Sequence, residues 1–203
     1  FAVSGTGQIF SDASTSITSG ADYAEYFEWK DGNSSSEDRV GYSVILDGNK
    51  IVKATSSDDT SKLVGVISGN PVVVGDCAWN RWDGKFVKDD YNRYVREEYS
   101  TTEWKDSKGK LIQYMTDEIP SDVKVPSDAK VISTEVDGKT KLTRRKVNSS
   151  WDKSKTYIPR EDRKEWDIVG LMGKLKLRKG QPTGDRWIKM RDISDTVEEW
   201  IVR

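Results

Sequence analysis

Along the whole chain, short apolar runs alternate with turns that carry glycine, asparagine, aspartate or proline. This is the pattern of a protein made of strands and hairpins. Residues 1–10 alternate apolar with small or polar positions around a glycine-containing turn and predict a short hairpin, followed by a Ser/Thr-rich loop at 11–19. Residues 40–46 predict a strand, Asp47-Gly48-Asn49 a tight turn, and residues 50–54 the returning strand. A nearly continuous apolar run at 63–68 predicts a buried strand, turned by Gly69-Asn70-Pro71 into Val72-Val73-Val74. Phe86-Val87 and Tyr94-Val95 pair across residues 89–92, although Tyr91, Tyr94, Val95 and Tyr99 also fit helical spacing. Residues 104–115 predict a hairpin around Ser107-Lys108-Gly109. Residues 131–136 and 140–147 predict another around Asp137-Gly138. Residues 151–163 are charged and irregular. Residues 167–173 echo Leu63-Val64-Gly65-Val66, an apolar strand with a central glycine, which suggests duplicated edges of one sheet system. Residues 174–178 and 187–190 alternate strictly, which predicts one buried face each. The end reads two ways: a short helix capped by Asp195 and Glu198, or a closing strand through Trp200-Ile201-Val202. The fold class is mainly β, a compact multi-hairpin domain with little helix.

Composition sharpens this picture. The 203 residues are 34% hydrophobic and 33% charged, so the core is thin, and eight Trp and eight Tyr replace much of the missing aliphatic bulk. Such a chain favours burial against sister chains. A net charge of −1 argues against a general polyanion-binding surface, so nucleic acid is not an expected partner. With no apolar run long enough to span a bilayer and no signal peptide, no membrane partner is expected either. The chain does not begin with Met, which suggests that something lies upstream. Cys77 is the single cysteine and permits no internal disulfide. The chain has no histidine. That removes Ser-His-Asp triads, Cys-His dyads and the usual zinc sites, so proton transfer near neutral pH falls to Asp, Glu, Lys, Tyr or the lone Cys.

The densest chemistry lies between Thr18 and Trp29. Ser19 and Gly20 precede three carboxylates, Asp22, Glu25 and Glu28, set among Tyr23, Tyr26, Phe27 and Trp29. Carboxylates beside apolar rings have raised pKa values, and two acids in unlike surroundings divide into donor and acceptor. The bland alternative is a strand or helical turn whose rings are core and whose acids face water.

The block from Ser19 to Trp29, with Lys30-Asp31-Gly32-Asn33 and Glu37-Asp38-Arg39, resembles the autoproteolytic chaperone domain at the C-terminus of phage tailspikes and neck appendages, the glutamic-type G2 peptidase group. The likeness continues through Gly41 to Gly75 and returns in residues 167–173 and 187–203. It implies a fibre or tailspike protein of the virion tail, made in the host cytoplasm. Residues 1–18 would close an upstream β-shaft and linker, and residues 19–203 would form the autoprocessing and chaperone domain. The implied partners are sister chains in a homotrimer and the upstream shaft. The domain would be released by a cut near Thr18–Ser19, with no cofactor and no metal. The resemblance maps the catalytic roles onto Ser19, Asp22 and Glu25, with Glu28 in reserve. A non-cleaving trimerisation cap, or a receptor- or glycan-binding tip, is the alternative.

Geometry decides whether the acids can cooperate. On a strand Asp22 and Glu25 point to opposite faces and Glu28 shares the face of Asp22. One helical turn would unite Asp22 and Glu25, and a neighbouring chain is a third way to complete the pair. Elsewhere, Asp58-Asp59 and Asp89-Asp90 offer oxygen ligands for calcium but read first as solvated loops. The Trp residues read as packing before sugar platforms. The basic run at 174–179 reads as a half-buried strand, and Cys77 has no activating neighbour in sequence.

Overall fold

The computed structural model describes residues 20–76 and 84–203, together with the backbone pairing of two short strands near the start. Those strands, β1 (Ala2–Val3) and β2 (Ile9–Phe10), pair antiparallel as the expected hairpin. The loop at 11–19, with Thr18 and Ser19, lies outside the described residues, as do Cys77, Trp79 and Trp82.

The fold is mainly β, and the described chain clusters into two compact units, residues 1–80 with 158–203, and residues 81–157. In the first unit, β3 (Asp22–Glu28) is followed by the hairpin β4 (Ser43–Asp47) and β5 (Lys50–Lys53). Then come β6 (Leu63–Ile67) and β7 (Val73–Gly75). The β4–β5 turn sits on Gly48 at φ +70°, the left-handed geometry that a tight hairpin asks of a glycine.

In the second unit, β8 (Arg96–Glu98) pairs with β12 (Thr143–Arg145). The strand β9 (Thr101–Lys105) lies between β10 (Leu111–Met115) and β11 (Lys130–Ile132). The turn at 89–92 forms, with Asp89 N–H donating to the Arg93 carbonyl (2.9 Å) and Asn92 at φ +65°, so the helical alternative there is not taken. The predicted hairpin at 131–147 closes only at its tip, where Glu135 N–H donates to the Thr140 carbonyl (2.7 Å). Its arms part to different partners, β11 to β9 and β12 to β8. Within this unit Trp104 of β9 stacks on Tyr114 of β10 at 5.7 Å, and Arg144 forms ion pairs with Glu97, Asp117 and Glu118.

Back in the first unit, β13 (Trp166–Arg178) joins the two predicted segments 167–173 and 174–178 into one long strand. It is followed by β14 (Ile188–Asp192) and β15 (Val197–Val202), so the strand reading of the C-terminus holds and the helical one does not. The sheet runs β14-β15-β13-β6-β4-β5, with β3 on β13 and β7 parallel to β3. Two expectations are corrected. The echoing strands β6 and β13 are not edges but central neighbours, paired Val169 to Ile67 and Gly170 to Val66. The strand β14, at one end of the sheet, is exposed along its whole length, whereas β5 at the other end buries Ile51.

Two apolar clusters form the core. One gathers Trp29, Val44, Ile51, Ile67 and Val169, the other Val66, Leu175, Leu177 and Val202. Trp29 anchors the first. Its ring carries the Arg39 guanidinium at 4.3 Å, and its Nε1–H donates to Asp167 Oδ2 at 2.7 Å. Arg39 is itself buried and forks onto Asp31 (2.9 and 2.7 Å) while Nε donates to Glu37 (3.0 Å). This pairing holds the Asp31 carboxyl down at about 2. Burial pushes Asp167 up, against the opposing pull of the Trp29 bond.

The central glycines of the two echoing strands have a steric reason. A Cβ on Gly65 would lie 2.2 Å from the Gly170 carbonyl oxygen, a backbone atom that cannot swing away. We therefore expect Gly65→Ala to force β6 off β13 and to destabilise the first unit by about 3 kcal/mol, the upper end of overpacking costs. Denaturant unfolding followed by tryptophan fluorescence checks this, and an unchanged midpoint would mean that the two strands are not so closely apposed.

Candidate functional site

The acidic block Asp22–Glu28 is a strand because alternate positions have somewhere to go. Asp22, Ala24 and Tyr26 are buried, while Tyr23, Glu25 and Phe27 are half-buried on the other face. The whole of β3 pairs antiparallel with β13, from Glu28 opposite Trp166 to Asp22 opposite Gly173. A bulge between Gly170 and Met172 interrupts that ladder beside Asp22, and bulges re-aim side chains in this way.

Asp22 is 5% exposed, and its Oδ2 has no hydrogen-bond partner among the described residues. That oxygen lies against Gly170, where a Cβ would sit 2.8 Å from it and 2.4 Å from Leu175 Cδ2. The absence of a side chain at Gly170 is thus what makes room for the carboxyl. Burial pushes the Asp22 pKa up, and a hydrogen bond from the Ser68 side chain pulls the other way. A cavity of about 420 Å³ opens at this point, lined by Gly20, Asp22, Ser68, Lys174, Lys176 and Glu199 among others. Gly20 is the first described residue of the motif. Glu199 is buried and accepts from Arg191 Nε at 2.8 Å, which neutralises it.

Glu25 faces the other way. Its Oε1 accepts from the Tyr23 hydroxyl at 2.5 Å, and both side chains lie over Gly75 of the parallel neighbour β7. Tyr23, in turn, is pushed up by that bond. The strand therefore gives the two acids unlike surroundings but does not bring them together within one chain. Glu28, on the Asp22 side by alternation, is paired with Lys50 at 2.8 Å.

The other candidates have local explanations. Asp58 accepts from Thr55, Asp59 caps the 3-10 turn Thr60–Lys62, and Asp89 accepts from Tyr91 and Arg93. Among the described residues no group of three or more His, Cys, Asp or Glu side chains is placed to hold a metal ion. The residues around Asp22 that no motif pointed to are Ser68, Lys174, Lys176 and Glu199, brought in from β13, β15 and the turn after β6. Gly170 did carry a signal, as a glycine inside an apolar strand.

The raised Asp22 value fixes the sign of a stability effect. The folded chain binds this proton more tightly than the unfolded chain does. The cost of burying the carboxylate is absent below the unfolded carboxylate range and grows as pH rises through the folded value. We expect Asp22→Asn to gain stability relative to the parent with rising pH across that window, both in a Ser19→Ala background so that chain cutting does not enter. Thermal melts at a series of pH values measure it, and a pH-independent difference would show that Asp22 is not held dry.

Comparison with known proteins points the same way as the motif. The family model described as Peptidase_G2, IMC autoproteolytic cleavage domain, matches residues 2–200. The chain is 31% identical over 167 residues to the pre-neck appendage protein of Bacillus phage B103, covering 81% of this chain and 14% of that protein. It is 31% identical over 168 residues to the preneck appendage protein of Bacillus phage PZA, covering 82% and 15%. The chain thus spans a small part of the length of these relatives. The fold is that of the pre-mature bacteriophage phi29 gene product 12 in its crystal structure, with a TM-score of 0.65 at 23% identity, covering 98% of this chain and 24% of that one. The C-terminal fragment of the same gene product superposes with a TM-score of 0.55 at 24% identity over 90% of this chain and 100% of that one.

Proposed function

The chain belongs to the Peptidase_G2 family of autoproteolytic cleavage domains, and from that premise we propose that it cuts its own backbone once, at Thr18–Ser19, in a phage appendage or tail fibre. The observation that carries this reading is Asp22, a buried carboxyl whose Oδ2 has no hydrogen-bond partner among the described residues, in a residue that lines one cavity with Gly20. An acid whose pKa is pushed up by burial suits the step that is hardest for a peptide bond, protonation of the leaving nitrogen.

In this reading the Ser19 hydroxyl adds to the Thr18 carbonyl carbon, and its proton passes to Glu25. Asp22 gives its proton to the Ser19 nitrogen as the C–N bond breaks, leaving an ester between the Thr18 acyl group and Ser19 Oγ. Water then hydrolyses the ester, so the net change is the addition of water across one peptide bond. Fixed geometry supplies much of the rate, about 7–11 kcal/mol of barrier in well-oriented intramolecular reactions. Since Asp22 and Glu25 point to opposite faces of β3, Glu25 is supplied by a sister chain, and a homotrimer around the upstream shaft completes the site. Glu28 remains the reserve acid.

The biological task proposed is that of an intramolecular chaperone. Long-range β pairing in a shaft is slow and exposed to aggregation. A trimeric clamp at its end holds the chains in register, and cutting afterwards removes the clamp and leaves the shaft kinetically trapped. A second reading rests on the same opposite-face geometry: without a second chain there is no acid pair, and the domain is then a non-cleaving cap or a receptor- or glycan-binding tip.

Intact-mass spectrometry of the full chain with its native shaft decides between them. We expect a product starting at Ser19, and a loss of cleavage of about 100-fold or more for Asp22→Asn or Glu25→Gln, the typical size of an acid–base contribution. Co-expression of the two variants restores cutting in mixed assemblies if the acids act across chains. A parent that stays intact after folding leaves only the cap. A cut at another bond, or cleavage indifferent to both acids, overturns the site.

A further inference from the structure

Glu25 is a long side chain at a half-buried position, and two features fix where its carboxylate sits. A glutamate has several rotatable bonds, the last of them with a broad torsion, so holding it in one place costs rotamer entropy and needs specific contacts. The first contact is the Tyr23 hydroxyl, which donates to Glu25 Oε1 at 2.5 Å. The two residues share a face of β3 because they are two apart. No hydrogen bond among the described residues engages the other oxygen, Oε2.

The second feature is Gly75 of β7, directly beside Glu25 in the parallel ladder. A Cβ there would lie 2.9 Å from Glu25 Cγ and 2.9 Å from the Tyr23 hydroxyl. The φ of Gly75 is outside the left-handed region, so the backbone does not ask for glycine at this position. The missing side chain is the space that the pair occupies. The end of β7 is itself fastened: Arg160, buried and 4.0 Å from the Trp166 ring, donates to the Asp76 carboxylate at 2.7 Å. Trp166 opens the strand that β3 pairs with, so β7 and β13 are tied on either side of β3.

We infer that Tyr23 is a positioning residue, whose hydroxyl, in the space left by Gly75, holds Oε1 of Glu25 and leaves Oε2 to take the proton. This rests on the reading of Glu25 as the base of the cleavage reaction, and adds to it a tyrosine and a glycine that act through Glu25. The bond also favours the form of the base that can work, because a hydroxyl donating to a carboxylate stabilises its charged state. The charged groups on the elements packed against β3 have other partners. Asp167 of β13 accepts from Trp29, Lys50 and Lys53 of β5 pair with Glu28 and Glu37, and Asp76 pairs with Arg160. Lys174, Lys176 and Arg178 lie past Gly173, where the β3 ladder ends.

The test uses the full chain with its native shaft and reads cleavage against pH by intact-mass spectrometry. We expect the low-pH limb of the profile, where the base gains its proton, to move up in Tyr23→Phe. Gly75→Ala crowds the pair out of place and lowers cleavage across the profile, by up to about 100-fold, the cost of misplacing a reacting group by about 1 Å. A chain carrying both Tyr23→Phe and Glu25→Gln cuts as slowly as Glu25→Gln alone, because residues that act as a unit are not additive. The contact is read separately, by ring-carbon NMR titration of Tyr23 in an uncut Ser19→Ala background. There Glu25→Gln lowers the Tyr23 midpoint, which the hydrogen bond to the carboxylate pushes up. A low-pH limb that stays in place in Tyr23→Phe, or a Tyr23 midpoint that ignores Glu25→Gln, overturns the inference. A midpoint that falls in a chain whose cutting ignores Glu25→Gln, or that never cuts, upholds the contact and overturns the choice of base instead.

Discussion

The pairing of β3 along the first half of β13 is the contact on which the remainder of the first unit depends. It fixes which side of β3 is buried, and so which of its acids is dry. It also anchors the sheet, because β13 continues from that ladder to β6 on the way to the central hairpin and to β15 on the way to the C-terminus. The close approach is possible because glycines stand at the crossing: Gly65 lies on the Gly170 carbonyl, and Gly170 lies beneath the Asp22 carboxyl. One steric arrangement therefore sets both the strand packing and the place of the Asp22 carboxyl.

The strand period then divides the acids. A shift of one position moves a side chain from one face of the sheet to the other, so residues three apart on β3 cannot share an environment. Asp22 meets an apolar wall, and burial pushes its pKa up. Glu25 meets a tyrosine hydroxyl and a glycine on the parallel neighbour, at the half-buried face. That contrast is what an acid–base pair requires, and the separation of the two within one chain is what makes assembly part of the proposed mechanism rather than a background to it.

Much of the family-like block has a structural role. Asp31, Glu37 and Arg39 form a charge cluster over the Trp29 ring, and Trp29 ties that cluster to Asp167 of β13. A buried arginine without such partners would be costly, and the cluster supplies both charge neutralisation and hydrogen bonds. The loop after β3 is thereby fastened to the strand that β3 itself pairs with. The conspicuous residues of the motif thus sort into a clamp that holds β3 in place and a smaller set near Gly20 and Asp22 that faces the cavity.

Turn chemistry and apolar runs are local, and the sequence by itself determined them: the hairpin at Gly48, the turn at Asn92, the strands of the first unit, the exclusion of histidine-based catalysis and the family block around Asp22. Partner choice is not local. The hairpin expected at 131–147 looked sound from its turn, yet its arms found other strands, because a turn sets a reversal of direction and not the length of the ladder that follows. The echo between β6 and β13 was visible, but only the assembled sheet made them central neighbours. Ser68, Lys174, Lys176 and Glu199 carry no motif; they line one cavity with Asp22 because the sheet carries distant segments there. The periodicity of a single strand was enough to state that Asp22 and Glu25 part if that strand forms. That it does form rested on β13, far along the chain, offering a complementary edge and a glycine at the one position where a carboxyl had to fit.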